Sequence, residues 1–297
     1  MISYYNRENK TYQNENVVGD GPLNWMYSTR LGMGLLEAIV KKKLFSSVYG
    51  KFLDSKLSKK KIAPFIEEYG VNSEESEQES KNFKTFNEFF YRKLKNAARP
   101  IQMEDNVLIS PGDGKILAYK DIKKDALIQI KGITYSLREL IRDDTLSNKY
   151  SHGSMIVLRL CPTDYHRFHF IDGGTCEKPT RIKGYYYSVN PIALSTVNKL
   201  FCQNKRQYSI FHSKNFKDVL YVEVGATCVG SIIDTYTPDS DVNKGDEKGY
   251  FKFGGSTVIL FFQKDTILID KDIMTHSDLG IETQVKLGEK IGIKSSL

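Results

Sequence analysis

The runs NVLISPGDGKILAY (106–119), SMIVLRLCP (154–162), DVLYVEVGATCVGSII (218–233) and GSTVILFF (255–262) decide the fold. Each is dense in Val, Ile, Leu, Tyr and Phe, and each is bounded by Gly, Asp, Asn or Pro. Such runs at turn-bounded spacing predict strands of a sandwich or barrel. This character begins at about residue 107 and continues toward the end of the chain.

The text before it reads differently. Across residues 25–45, Leu31, Leu35 and Ile39 and, one position round, Leu36 and Val40 recur at three- and four-residue spacing, which predicts an amphipathic helix. Lys41, Lys42 and Lys43 close it. An apolar stripe ending in a basic cluster suits an anionic leaflet, and it equally suits a helix packed on its own domain with a solvated basic end. Residues 46–70 predict one or two short helices around Phe52, Leu57, Phe65 and Ile66. The acidic stretch VNSEESEQESKNFK (71–84) lacks apolar periodicity and reads as a loop or linker. Thr85 and Glu88 form a capping box ahead of Phe86, Phe89, Phe90 and Leu94, in a helix that ends before Pro100. Residues 1–24 are polar and aromatic without a clear period. The expectation is an α+β fold with two parts: an N-terminal helical, membrane-associating part (1–105) with amphipathic helices, set on a β-rich sandwich or barrel body (106–297).

Composition sets outer bounds. With 40% hydrophobic and 27% charged residues among 297, the chain can build a sizeable core, and global disorder is excluded. The net charge of +7 suits an anionic partner without choosing between nucleic acid and a membrane surface. The four cysteines form no C-x-x-C pair and read as buried free thiols of a reducing compartment. The polar opening MISYYNRENKTYQNEN is no signal peptide, and no window approaches the roughly 20 apolar residues of a membrane span. Any membrane contact is therefore expected to be peripheral.

Three places carry candidate chemistry. In SPGDGKI (110–116), Asp113 stands between two glycines, where Asp commonly only caps a turn. In CPTDYHRFHF (161–170), His166 and His169 are three residues apart after an apolar strand. On a helix they would share a face, and on a strand they would point oppositely. With Asp164 they suggest a metal site, a general acid/base pair or a satisfied structural pair. In KGYFKFGGSTVILFF (248–262), Gly254 and Gly255 precede Ser256, where a bulge or tight bend is the plain reading. A hydrolase nucleophile elbow fits poorly, because Val258 and a strand follow rather than a glycine and a helix. A Gly-Ser bond also permits attack of the serine hydroxyl on the preceding carbonyl. The resulting ester can eliminate to dehydroalanine, and hydrolysis then leaves an N-terminal pyruvoyl group, an electron sink for amine substrates. That route needs a base and a carboxylate to orient it. Asp113, one of the two histidines and Ser256 would supply these.

Taken together, these residues resemble the phosphatidylserine decarboxylase family from about residue 85 to 290. Phe89, Phe90, Arg92, Leu94, Ala98, Arg99 and Pro100 look like its FFxRxLxxxARP segment. Ser110–Gly114 look like its S-P-x-D-G turn, and Asp164–His169 like its D-Y-H-R-x-H stretch. Ser188–Pro191 (SVNP) look like a substrate-side loop. GATCVG (225–230) and KGDEKGYFKFGGST (244–257) look like its final barrel segment. Two departures stand out. Gly254 takes the place of the Leu in the family's commonest cleavage motif, and Asn204, Lys205 and Arg206 stand where N-E-R is common.

The resemblance implies a self-cleaving proenzyme. Asp113, His169 and Ser256 match its triad for cleavage between Gly255 and Ser256, and Ser256 becomes the covalent pyruvoyl cofactor. His166 matches a histidine that assists decarboxylation. No metal is implied. Chains 1–255 and 256–297 are expected to remain together as a heterodimer. The implied reaction turns phosphatidylserine into phosphatidylethanolamine at an anionic membrane surface, on the cytoplasmic side of the cell membrane, with no nucleic acid partner. The rival readings are a pyruvoyl decarboxylase of a soluble amino acid and an uncleaved β-rich binding module.

Overall fold

The computed structural model describes residues 3–130, 133–227, 232–254 and 256–296. The apolar runs become strands: Val107–Ile109 and Gly114–Tyr119, Ser154–Leu160, Asp218–Val224 and Ile232–Asp234, and Ser256–Phe262. Most belong to one 11-stranded sheet. At its centre, Ser256–Phe262 pairs antiparallel with Asp218–Val224 on one edge and with Ser154–Leu160 on the other. All seven of its residues are buried. A strand covered on both faces needs no polar alternation, which is why STVILFF is continuously apolar after its first two residues. Val258, Ile259, Leu260, Phe261 and Phe262 have no exposed surface. At roughly 1.5–3 kcal/mol per buried side chain, they anchor this strand by an amount on the order of 10 kcal/mol.

On the far side of Ser154–Leu160 lies Gly114–Tyr119, then Glu282–Val285, then the hairpin Ser3–Asn6 and Thr11–Asn14. Ser3–Asn6 runs parallel to Glu282–Val285. Gly114 matters for this order. A Cβ there would sit 2.5 Å from the Arg159 carbonyl oxygen, so only glycine lets the two strands approach at the Asp113 turn. A small sheet, Ile232–Asp234, Glu247–Phe251 and Arg167–His169, flanks the site. A second small sheet joins Ile267–Ile269, Lys290–Lys294 and Val107–Ile109.

The fold is α+β, as expected, but the N-terminal helix is not one piece. Asp20–Ser28, Arg30–Leu35, a π-turn at Leu36–Val40 and Lys43–Leu53 replace the single helix expected over 25–45. Thr29 causes the first break. It takes an extended conformation, and its side chain caps the next helix by accepting from the Gly32 amide. The two apolar stripes also face opposite ways. Leu36 (1% exposed) and Val40 join the main core, while Leu31 (82% exposed), Leu35 and Ile39 face outward.

A second core of Leu53, Ile62, Phe65, Val71, Phe83, Phe86, Phe89 and Phe90 gathers the following helices. Thr85 caps Phe86–Phe90 as expected, with its hydroxyl accepting from the Glu88 amide. The other half of the capping box differs, because Glu88 accepts from Lys84 N rather than from Thr85. The helix then ends at Phe90, well before Pro100.

Phe261→Ala should lower unfolding free energy by about 3–5 kcal/mol, because a fully buried ring on the central strand leaves a cavity that its paired neighbours cannot fill. Urea denaturation followed by circular dichroism measures it, and a loss under about 1 kcal/mol contradicts the assigned packing.

Candidate active site

The strand Ser154–Leu160 ends beside Ser256, since Leu160 is the partner of Ser256 in register. The chain then turns tightly. The Asp164 amide donates to the Cys161 carbonyl at 2.9 Å, and the Asp164 carboxylate accepts from the Cys161 amide at 2.7 Å. This turn delivers His166 and the strand Arg167–His169.

His166 has no exposed surface. Its Nδ1 lies 2.9 Å from the Asp164 carbonyl oxygen, which can only accept. The proton is therefore on Nδ1, and Nε2 carries a free lone pair. The ring packs against Phe90 at 3.9 Å between centroids. Burial pushes its pKa down to about 3, against the opposing pull of the Asp164 carbonyl. The Gly254 carbonyl lies near enough to favour a ring proton, although Nε2 makes no hydrogen bond.

His169 has the same arrangement. Its Nδ1 lies 2.9 Å from the Gly245 carbonyl oxygen, and its buried Nε2 has no partner. Burial lowers its pKa first, while the Gly245 carbonyl and the nearby charges of Glu247 and Asp113 pull the other way. Ser256 Oγ is likewise fully buried and without a hydrogen bond.

Asp113 is held elsewhere. Arg99 Nε donates to its two carboxylate oxygens at 2.9 and 3.0 Å, Arg99 Nη2 donates at 2.6 Å, and the Leu287 amide donates at 2.8 Å. Arg99 also ion-pairs with Glu75 at 2.9 Å. The structure thus brings His166 against the residues preceding Ser256 and puts His169 within the field of Asp113. It forms no hydrogen bond from Asp113 to either histidine, nor from either histidine to Ser256. Gly255, the other half of the expected cleavage bond, lies outside the described residues. Among the described residues no three His, Cys, Asp or Glu side chains group to hold a metal ion.

The family model for phosphatidylserine decarboxylase matches residues 86–293, spanning Asp113, His166, His169 and Ser256. The chain belongs to the phosphatidylserine decarboxylase family. It is 60% identical over 294 residues to a phosphatidylserine decarboxylase proenzyme of Clostridium botulinum, covering 99% of this chain and 100% of that protein. Proenzymes of the same name from Clostridium novyi and Clostridium beijerinckii are each 58% identical over 99% of this chain. Membership places it among the carboxy-lyases.

Sequence reasoning missed several partners of these residues. Arg99 was visible only as part of the ARP text, and its grip on Asp113 was not. A buried cluster beside the Cys161–Asp164 turn was also missed. Arg159 pairs with both Glu15 and Glu282, and Lys115 Nζ lies 3.0 Å from Cys161 Sγ and 3.5 Å from Glu15. Burial opposes the Glu15 carboxylate, but Arg159 and Lys115 overcome it and hold its pKa down to about 2. A lone arginine inside MIVLRL was the available signal, because a buried cation needs a partner. Where the family commonly has N-E-R, Asn204 is buried and bridges Tyr187 to Gly225. The Arg206 guanidinium is capped by the carbonyls of Leu140, Glu139, Cys202 and Asn204, and burial pushes its pKa down to about 10.

The low His166 pKa has a thermodynamic consequence. The unfolded imidazole takes up a proton near pH 6.5, whereas the folded one refuses it until about pH 3. The stability contribution is therefore intact above pH 6.5 and is lost as pH falls through that window. Relative to His166→Gln, the wild type should lose about 3 kcal/mol more between pH 7 and pH 4, at about 1.4 kcal/mol per unit. Equal pH slopes in denaturant titrations would show that His166 is not buried as a neutral ring.

Proposed function

We propose that this chain is a self-processing proenzyme that decarboxylates phosphatidylserine to phosphatidylethanolamine. The observation that carries this reading is the fully buried, unpartnered hydroxyl of Ser256 at the first position of the central strand, with the Gly254 carbonyl next to His166. Burial of a hydroxyl without a hydrogen bond costs free energy, so a reactive role explains what packing alone does not.

In the processing step, a histidine Nε2 takes the Ser256 proton as Oγ attacks the Gly255 carbonyl carbon. The C–N bond gives way to an ester, and the freed Ser256 amine takes up a proton. Removal of the Ser256 α-proton then expels the Gly255 carboxylate, leaving dehydroalanine at residue 256. Tautomerisation and hydrolysis release ammonia and leave a pyruvoyl carbonyl. His169 is assigned the base role, within the field of Asp113, and His166 the later proton delivery to the substrate carbon. Asp113, fixed by Arg99 and Leu287, biases His169 electrostatically rather than by direct contact.

The orphaned Ser256 oxygen and two imidazoles with free Nε2 atoms fit the group the family implies. Once formed, a pyruvoyl carbonyl captures a primary amine and serves as the electron sink for loss of carbon dioxide. The protein's own contribution is a dry, fixed pocket: neutral histidines, a strand that cannot shift, and walls that exclude water. Residues 256–297 supply the central strand and two further strands, Glu282–Val285 and Lys290–Lys294, paired with the rest of the chain, so a cut before Ser256 leaves the two pieces joined.

A lipid substrate is favoured over a soluble amino acid by the outward face of the N-terminal helices. Leu31, Leu44 (75% exposed), Val48 (61% exposed) and Leu57 (71% exposed) stand in solvent among the exposed lysines 42, 43, 51, 56 and 59–61. Single exposed apolar residues need no explanation, but Leu44 and Val48, one turn apart on Lys43–Leu53 and followed by Lys51, suit the interface of an anionic leaflet. No helix among the described residues is long and apolar enough to cross a membrane. The proposed place, resting on this exposed apolar and basic surface and on the family's lipid substrate, is peripheral on the cytoplasmic side of the cell membrane.

Intact-mass measurement of a C-terminally tagged protein tests the processing. Wild type should give two chains divided at Gly255, with the smaller one blocked and lighter than a serine-initiated fragment. Ser256→Ala and Asp113→Ala should each stay whole. A wild type that remains one chain after long incubation sinks the mechanism, and normal cleavage of the Asp113 variant removes that residue from it.

Changing Leu31, Leu44 and Val48 together to Asp should weaken binding to phosphatidylserine vesicles by about tenfold or more, with no loss of fold, since all three side chains already face water. Unchanged vesicle sedimentation would discard this face as the docking surface.

A further inference from the structure

A cavity of about 950 Å³ opens beside Asp113 and the Cys161–Asp164 turn. Four cations line it: Arg7, Arg92, Arg99 and Lys286. Three of them are matched to carboxylates. Arg7 pairs with Asp270, Asp272 and Glu289, Arg99 with Asp113 and Glu75, and Lys286 with Glu8. Arg92 is different. It is 7% exposed, its buried Nε has no hydrogen-bond partner, and no carboxylate ion-pairs with it among the described residues. Its one hydrogen bond is long, from Nη1 to the Phe89 carbonyl at 3.4 Å, and its Cζ lies 4.9 Å from the Phe89 ring centroid. Burial pushes the guanidinium below its ordinary pKa. A buried cation left this way is costly unless an anion completes it.

We propose that Arg92 is the anion-binding residue of the site and holds the phosphodiester of the lipid head group, an assignment that rests on the decarboxylase reading above. It lines the cavity two residues after Phe90, whose ring packs on His166, and its charge acts on that imidazole. A guanidinium fork matches two phosphate oxygens and needs no proton exchange. The substrate carboxylate is the other anion within the head group, and it is the wrong target. Carbon dioxide leaves uncharged, so a cation on the carboxylate stabilises the ground state more than the transition state. A cation on the phosphodiester binds both states equally and leaves the chemistry free.

The test uses the processed full-length enzyme and soluble head groups. Arg92→Gln should raise KM for sn-glycero-3-phosphoserine by about 10- to 100-fold with kcat nearly unchanged, the signature of lost uniform binding. Calorimetry should show sn-glycero-3-phosphoethanolamine binding to wild type and the same loss of affinity in Arg92→Gln. Arg92→Lys, which keeps the charge without the fork, should lie between them. If Arg92→Gln does not fold, a folded Arg92→Lys must still bind several-fold more weakly, and equal affinity overturns the assignment. A kcat loss at constant KM also overturns it, by placing Arg92 on the reacting carboxylate. Inorganic phosphate binding as tightly as glycerophosphoethanolamine marks a free-phosphate site and rejects the head-group assignment. Glycerophosphoethanolamine that binds Arg92-dependently to an enzyme releasing no carbon dioxide from phosphatidylserine supports Arg92 while refuting the proposed function.

Discussion

Everything at this site depends on a strand that cannot move. Ser256–Phe262 is covered on both faces and paired on both edges from Thr257 to Phe261, and its first residue is held by the pairing with Leu160 on one edge. Interiors packed at this density resist even small shifts. The same rigidity reaches the histidines, because the neighbouring strand ends at Leu160 and the turn after it is closed by two hydrogen bonds through Asp164. Placement of a hydroxyl and two neutral imidazoles thus follows from sheet register rather than from flexible side chains finding one another.

Buried charge is the second organising element. Lys248 and Glu223 form an ion pair at 2.7 Å with no exposure on either side chain, joining the small sheet that carries His169 to the central sheet. Arg159 with Glu15 and Glu282 ties the N-terminal hairpin's exit to the strand beside Gly114–Tyr119. Such pairs are weak evidence for net stability, since desolvation offsets much of their attraction. Their value is geometric, because a register slip of one residue would strand a charge in the core. The cavity beside Asp113 follows the same pattern for Arg7, Arg99 and Lys286, while Arg92 forms no ion pair among the described residues.

Much of this was legible in the sequence, for a physical reason. A doubly covered strand must be apolar throughout, so STVILFF, MIVLRL and VLYVEV announce themselves. The candidate site residues were legible as chemical types, and the family match spans the text around them. What the sequence hid was every feature created by contact at a distance. The hairpin Ser3–Asn6 with Thr11–Asn14 is polar, and its register is set by Glu282–Val285 at the other end of the chain. The helix break at Thr29 rests on a local cap that competes with a longer apolar period. The orientation of both histidines is set by the carbonyls of Asp164 and Gly245, which residue types cannot display. The expected link between Asp113 and a histidine presumed a triad, whereas Arg99 supplies a stronger, charge-assisted partner.

The position of Glu282–Val285, between Gly114–Tyr119 and the N-terminal Ser3–Asn6, also bears on timing. A ribosome adds residues in order, and pairings so remote in sequence carry a large loop-closure cost before any contact repays it. The Leu287 amide that completes the seat of Asp113 is synthesised after the whole strand Ser256–Phe262. A nascent chain that has already exposed Ser256 therefore still lacks both the strand that closes this edge of the sheet and the donor that fixes the carboxylate. On the proposed reading, Ser256 therefore waits for residues synthesised after it before it can react, and a chain stopped between Phe262 and Glu282 carries the serine without its neighbours.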